Sequence, residues 1–235
     1  MNRFLFIPIL LSVLTVSASA QRLADYRLNG TYSSSFSSEI KQAEISMTKD
    51  LFGFMDNDLR FGFGLSVPVN LFSQMEMVTA HKDLRKDDQK MDTLVIPSTQ
   101  SFSINFSAHA EYTIKDWLSV GMEADLLGIS GGAEVKAEYH PGPTSSKDGA
   151  TMETNINAKP NKANAFGLAN QKGMVSYRLY ARLEPNEDWS FRLGLGGLFT
   201  EFATERSFGP NSQFRFQSNQ PAWFVGLTYS VFEEN

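Results

Sequence analysis

The stretch Leu59-Arg60-Phe61-Gly62-Phe63-Gly64-Leu65-Ser66-Val67-Pro68-Val69-Asn70-Leu71 puts Leu, Phe or Val at every odd position and Arg, Gly, Ser, Pro or Asn at every even one. Successive side chains of a strand point to opposite faces, so the segment predicts a strand with one apolar face and one small or polar face. The pattern recurs along the chain. Phe102, Ile104, Phe106, Ala108, Ala110, Tyr112 and Ile114 alternate with Ser103, Asn105, Ser107, His109, Glu111 and Thr113. Leu118, Val120, Met122, Ala124 and Leu126 alternate with Ser119, Gly121, Glu123 and Asp125, and Val175, Tyr177, Leu179, Ala181 and Leu183 with Ser176, Arg178, Tyr180 and Arg182. Trp223, Val225, Leu227, Tyr229 and Val231 form a last apolar face.

The chain opens with Met1-Asn2-Arg3, an apolar run from Phe4 to Val16 and the small-x-small triplet Ala18-Ser19-Ala20. That order predicts an export signal over residues 1–20, cleaved so that a single domain, 21–235, begins at Gln21. A net charge of −5 argues against a nucleic-acid partner. The absence of cysteine excludes a disulfide framework, a thiolate metal site and a lipidated cysteine. No apolar run after Ala20 approaches the roughly 20 residues of a membrane-spanning helix, so any span must be made of strands.

Three short polar breaks, Asp56-Asn57-Asp58, Lys115-Asp116 and Pro185-Asn186-Glu187-Asp188, separate alternating segments as tight hairpin turns do. The other connections, near 78–100, 140–173 and 205–220, are long and polar, the first with the charge run HKDLRKDDQKMD. Tight turns at one end and long loops at the other are the asymmetry of transmembrane barrels, with the turns periplasmic and the loops extracellular. With an upward strand near Asp25–Ser34 and a downward one near Glu44–Met55, the expected fold is all-β. It is a closed antiparallel transmembrane β-barrel of about eight strands, in meander order, with both termini periplasmic.

Alternation alone fits a soluble barrel with its apolar face inward. The polar face, however, mixes glycines with charges, too charged for a ligand cavity and too sparse for a water-exposed exterior. At about 3.3 Å per residue and a tilt near 40°, Leu59 to Leu71 covers about 33 Å, enough for an apolar band of about 25 Å. Trp117 and Trp189, each just after a tight turn, together with Trp223, are the expected aromatic girdle.

The hairpins Asp116-Trp117-Leu118-Ser119-Val120-Gly121 and Asp188-Trp189-Ser190-Phe191-Arg192-Leu193, and the ending Gly226-Leu227-Thr228-Tyr229-Ser230-Val231-Phe232, resemble small outer-membrane barrels of the OmpA-barrel and OmpX type. One departure is that the chain continues past Phe232 as Glu233-Glu234-Asn235, where such barrels end on an aromatic residue. The resemblance implies a bacterial outer-membrane location. Its expected partners are outer-membrane lipid and lipopolysaccharide, the barrel-insertion machinery, and an extracellular ligand or surface partner at the loops.

The polar face carries the candidate site. Glu123 and Asp125 stand at a height comparable to Arg178 and Arg182, with Arg192 beyond, and Arg60 can face Glu111. Opposite charges buried in a narrow barrel must pair, so these seven residues predict a lumen plugged by salt bridges; a gated ion path is the alternative. Ser107 and His109, two apart on one strand, resemble in reverse order a pair found in lipid-A deacylases. A separation of about 7 Å strains a direct hydrogen bond, and no catalytic residue is expected. His81 and His140 lack a third ligand at fixed spacing, so no metal or other cofactor is expected. Gly62-Phe63-Gly64 and Gly194-Leu195-Gly196-Gly197 complete no phosphate loop and read as lumen crowding or bulges, and Pro68 predicts another bulge. Asp92-Thr93-Leu94 resembles the Asp-Thr-aliphatic acceptor of bacterial O-glycosylation. The expected function is therefore non-enzymatic: an outer-membrane barrel displaying loops for surface binding or envelope integrity. A porin-like small-solute channel is the alternative, and a lipid-modifying enzyme ranks third.

Overall fold

A computed structural model of the protein describes residues 27–55, 58–80, 88–166, 171–208 and 212–232. The export signal, Gln21, Asp25, the turn residues Asp56 and Asn57, His81 with most of its charge run, and the tail Glu233–Asn235 lie outside the described residues. The strands are β1 (Arg27–Phe36), β2 (Ile40–Phe54), β3 (Leu59–Phe72), β4 (Met75–Thr79), β5 (Thr93–Ile96), β6 (Thr99–Lys115) and β7 (Leu118–Gly132). They continue as β8 (Val135–His140), β9 (Glu153–Pro160), β10 (Ala163–Ala165), β11 (Val175–Leu183), β12 (Trp189–Phe208) and β13 (Gln213–Phe232). A short helix, α1 (Pro143–Lys147), and one 3-10 turn (Asp88–Lys90) complete the described elements.

The strands make one antiparallel sheet of thirteen, in which two rings of pairings share β12 and β13. In the wall ring, β1 pairs with β2, β2 with β3, β3 with β6, β6 with β7, β7 with β11, β11 with β12, β12 with β13, and β13 with β1. In the cap ring, the upper part of β13 pairs with β4, β4 with β5, β5 with β8, β8 with β9, and β9 with the upper part of β12. Thirteen strands replace the expected eight or so because the stretches read as long loops, with the residues flanking them, contain short strands of their own. β4, β5, β8, β9 and β10 are three to eight residues long, too short for alternation to stand out against polar connections.

The three tight turns lie at one end of the wall: Thr113 N–H to Asp58 O (2.7 Å) and Glu184 N–H to Trp117 O (2.9 Å) tie them to one another, and Ser230 N–H to Asp188 O (2.7 Å) ties the third to β13. Asn186 fixes the third turn by accepting from the Asp188 and Trp189 N–H groups. Along the wall the polar face points inward and the apolar face outward. Ser66 is fully buried while its neighbour Leu65 is 58% exposed, and Ile45, Met47, Phe102, Leu179, Leu193 and Val225 are likewise exposed. This is the reverse of a water-soluble barrel and suits an apolar solvent.

Two expectations of detail change. Leu126 is the extra residue of a bulge: the β6–β7 register shifts between Phe106 and Ser107, so Leu127 and Ile129 take over the outward positions. Pro68 makes no bulge. Its ladder to β2 is unbroken at Glu44, while on the β6 side Val67 and Pro68 drop out and the register resumes unchanged at Val69 and Phe102. The missing donor costs local pairs rather than an inserted residue.

The cap is built on opposite polarity. Met75, Met77, Leu94, Ile96, Ala137, Tyr139, Phe202, Phe208 and Phe216 are buried inside its ring, meeting Ile40 and Phe72 at the top of the wall. Tyr139 stacks on Phe208 with centroids 4.4 Å apart, and Phe202 meets Phe72 edge-on at 5.8 Å. Phe202 is fully buried on a strand belonging to both rings. Phe202→Ala should therefore cost about 3–5 kcal/mol in equilibrium urea unfolding, whereas Ile45→Ala, which removes no buried contact within the chain, should change stability in detergent by under about 1 kcal/mol.

Candidate functional site

The lumen is filled by the inward side chains of the wall, in three layers counted from the tight-turn end. In the lowest, Glu111 on β6 accepts from Arg60 of β3 (2.6 Å) and Arg182 of β11 (3.3 Å). Arg182 is 1% exposed and also donates to Ser190 (2.8 Å) and Ser230 (2.9 Å), and Glu184 lies 3.5 Å from its Nε. One guanidinium thereby ties β6, β12 and β13 to its own strand.

In the middle layer Arg192 faces Glu123 at 3.4 Å and lies over the Tyr180 ring, 4.8 Å from its centroid. The Tyr180 hydroxyl donates to the second oxygen of Glu111 at 3.1 Å. Glycines make room for these groups: a Cβ on Gly121 would stand 2.6 Å from the Tyr180 ring, and one on Gly62 would stand 2.4 Å from the His109 ring. His109 Nε2 is 2.6 Å from Asp50, and the Ser107 hydroxyl has no hydrogen-bond partner among the described residues. The two residues of the suggested hydrolytic pair are not bonded to each other.

In the upper layer Arg178 forms a two-pronged pair with Glu44 of β2, one arm at 2.6 Å, and donates to Gln42 at 2.8 Å. Its guanidinium also lies 4.9 Å from the Phe224 ring centroid. Asp125 is held by neutral donors: Ser66 (3.0 Å), Asn105 (3.1 Å), and the Ser176 hydroxyl (2.7 Å) and N–H (2.9 Å). The seven predicted charges thus share one interior, and the expected pairings of Arg60 with Glu111 and of Arg192 with Glu123 form, while others differ. Arg178 takes Glu44 rather than Glu123 or Asp125, and Asp50 takes His109. Gln42, Glu44, Ser46, Thr48 and Asp50 carry the signal in their own alternation, since all are buried on one face of β2. What no local pattern supplies is that Glu44 meets a residue 134 positions away.

Above these layers Met174, just before β11, enters the interior beside Asn70, Ser101 and Asn105. Met174 is buried, and its sulfur accepts from Ser101 at 2.9 Å. The enclosed space bounded by Gln42, Asn70, Asn105, Asp125, Met174 and Phe199 is about 10 Å³, close to the room of one water-sized sphere. Higher still, Glu201 is fully buried and pairs with Arg215, one arm at 2.8 Å, while accepting from Asn161 at 2.7 Å. Hydrogen bonding to Glu201 raises the Arg215 pKa against the opposing effect of burial.

The tryptophans are exposed on the outer surface at both ends of the wall. Trp117 and Trp189 flank the tight turns, with Trp189 5.0 Å from Tyr229. Trp223 pairs with Phe36 at the cap end. His140 lies 3.7 Å from Glu138, and no group of three metal-ligating side chains occurs among the described residues. Thr93 lies within β5, with both neighbours, Asp92 and Leu94, fully buried.

No protein-family model matches the chain, and no curated protein matches it. Solved structures similar to it include small outer-membrane β-barrel proteins. The outer-membrane protein OprG of Pseudomonas aeruginosa is 8% identical, with 90% of this chain and 98% of that chain covered, at a TM-score of 0.39. The N-terminal β-barrel domain of OprF from the same organism is 9% identical, with 87% and 97% covered, at 0.37. The attachment invasion locus protein Ail of Yersinia pestis is 9% identical, with 88% and 97% covered, at 0.34.

The Arg178–Glu44 pair gives a direct test of the layered lumen. Glu44→Ala leaves a buried guanidinium with a single strong acceptor and should destabilise the protein by about 3–5 kcal/mol, whereas Glu44→Leu combined with Arg178→Met should be far milder. Thermal unfolding in detergent measures both.

Proposed function

We infer that this protein is a sealed, non-enzymatic β-barrel of the bacterial outer membrane. Its eight-membered wall ring spans the lipid, and its cap is a folded external platform for surface binding or envelope integrity. The observation that carries this reading is the inverted polarity of the wall: exposed apolar side chains outside, and inside a set of charges that neutralise one another. An apolar solvent requires every backbone polar group to be satisfied within the protein, and a ring of strands meets that demand. Wall strands of 9–20 residues suit the height of a bilayer's apolar band. On this reading Trp117 and Trp189 mark the periplasmic interface and Trp223 the outer one.

Sealing follows from the side chains that occupy the lumen. The three Arg-centred layers, the buried Met174 side chain and the apolar core of the cap stand in series, so a solute would have to displace all of them. This favours a structural plug over an ion path. The absence of a bonded Ser107–His109 pair in an interior closed to lipid speaks against the lipid-modifying alternative.

The decisive experiment is planar-bilayer recording of the purified protein, which should give no steady conductance. Steady currents whose ion selectivity changes in Glu123→Ala would replace this reading with a channel. The face assignment predicts that Leu65→Arg weakens folding into lipid vesicles by about 2–4 kcal/mol, a charge placed in the apolar band. Orientation is read by labelling intact cells with an amine reagent that cannot cross the membrane. Exposed Lys147 in the cap should react and exposed Lys115 at the tight turns should not; labelling of Lys115 alone would reverse the orientation.

A further inference from the structure

The cap ring has a mouth at its distal end, and that mouth contains a recess of about 350 Å³ lined by Tyr139, Asp148, Gly149, Ala150, Glu153, Ser207 and Phe208. Its position follows from the strand pairing. Tyr139 and Glu153 form the last pair of β8 and β9, and Phe208 with Gln213 the last pair of β12 and β13. Gly142 N–H donates to Asp92 at 2.8 Å, anchoring α1 beside the opening. Gly149 adopts a φ of +88°, a conformation that a side chain would resist, and so turns the chain from α1 toward β9 along the rim. Barrel mouths are favoured places for small ligands, and this volume lies at the lower end of the range for such pockets, about 300–1,000 Å³.

The lining has a definite chemistry. Its floor is the stacked pair Tyr139 and Phe208, both buried and part of the cap core. Its rim carries two carboxylates and a hydroxyl, all hydrogen-bond acceptors, and no cation among the lining residues. One carboxylate is already used: Glu153 is paired with Arg206, whose guanidinium lies 5.1 Å from the centroid of the Phe208 ring and outside the lining. The other, Asp148, is exposed and has neither ion pair nor side-chain hydrogen bond among the described residues. Below it, Tyr139 is 1% exposed, its hydroxyl facing Asp92 and Ser145. A recess with an aromatic floor and a free carboxylate at its edge calls for a ligand with an apolar body and hydrogen-bond-donating positive charge.

We propose that the mouth of the cap binds a small organic amine, its ammonium group on Asp148 and its apolar body against Tyr139 and Phe208. The inference rests on the reading of the cap as a binding platform, but its test does not depend on membrane orientation. Benzylamine and benzyl alcohol share a ring and differ in charge, so their binding to the full-length protein in detergent separates the contribution of Asp148 from that of the apolar floor. Ligand-observed NMR, with the protein-free micelle signal subtracted, measures both.

Wild-type protein should bind benzylamine about fivefold more tightly than benzyl alcohol, the scale of one partly exposed ion pair. Asp148→Asn should remove that preference and leave benzyl alcohol binding unchanged. Ser207→Trp, which fills the recess from its exposed rim, should weaken both ligands. Asp148 and Ser207 are both exposed, and shifted migration on unboiled gels verifies that each variant is folded. Equal binding of the two ligands by wild type, a preference that survives Asp148→Asn, or no protein-dependent binding would each overturn the proposal. Failure of the surface labelling, by contrast, would overturn the orientation and leave this site standing.

Discussion

The pairing of β1 with β13, ten residues against ten from Arg27–Phe232 to Phe36–Trp223, is the constraint on which the rest of the structure depends. It joins the two ends of the described chain, so the wall has no free edge whose N–H and C=O groups would need water. Everything apolar on the outer surface is compatible with lipid only because that edge is gone. Joining the ends also fixes the interior volume. With eight strands around it, the lumen is wide enough for side chains and little else, so whatever points inward must pack and pair with itself.

That consequence explains the composition of the polar face better than any single contact. Arginine supplies the long side chains because a planar guanidinium can serve several acceptors at once, as Arg182 does for Glu111, Ser190 and Ser230. Glycine supplies the space opposite large groups, at Gly62 beneath His109 and at Gly121 beneath Tyr180. Serine, threonine and asparagine absorb what remains, most clearly around Asp125, where four neutral hydrogen bonds take the place of a cation. The network makes each wall strand depend on others far away in sequence.

The wall was legible in the sequence because its strands are long. Leu59–Leu71 alone supplies seven consecutive outward positions, and the tight turns at Lys115-Asp116 and Pro185–Asp188 mark its ends. The cap was not legible, for a physical reason. Met75 and Met77, Leu94 and Ile96, and Ala137 and Tyr139 each offer only two inward positions per strand, and polar connections separate them. Such fragments form a core only when six strands bring them together, and nothing local records which strands those are. The lumen was legible in residue type and only partly in partnership: Arg60–Glu111 and Arg192–Glu123 form as expected, and Glu44 and Asp50 announce themselves by alternation, yet their choice of Arg178 and His109 depends on the curvature of the ring. The shift at Leu126 was missed because one inserted residue leaves both flanking patterns intact and changes only their phase.

The two polarities meet at a definite level, and that level carries its own information. Along β3 the inward series runs Ser66, Pro68, Asn70 and then Phe72; along β2 it runs Glu44, Gln42 and then Ile40. In both strands the interior turns from polar to apolar within one inward step. The exterior changes in the opposite sense, from Val69 and Leu71 on the wall to exposed Glu76, Lys136, Glu138 and Lys159 on the cap. On the proposed reading, a strand that kept one polarity throughout would be wrong for one of its two solvents, and the inversion marks where the solvent itself changes. Phe36 and Trp223, exposed on the outer surface close to this level, supply the amphipathic aromatic rings that such a boundary favours. On the proposed reading the outer face of the membrane therefore lies near the Phe36–Trp223 pair, and β12 and β13, continuous through it, hold the water-facing cap rigidly on the lipid-facing wall.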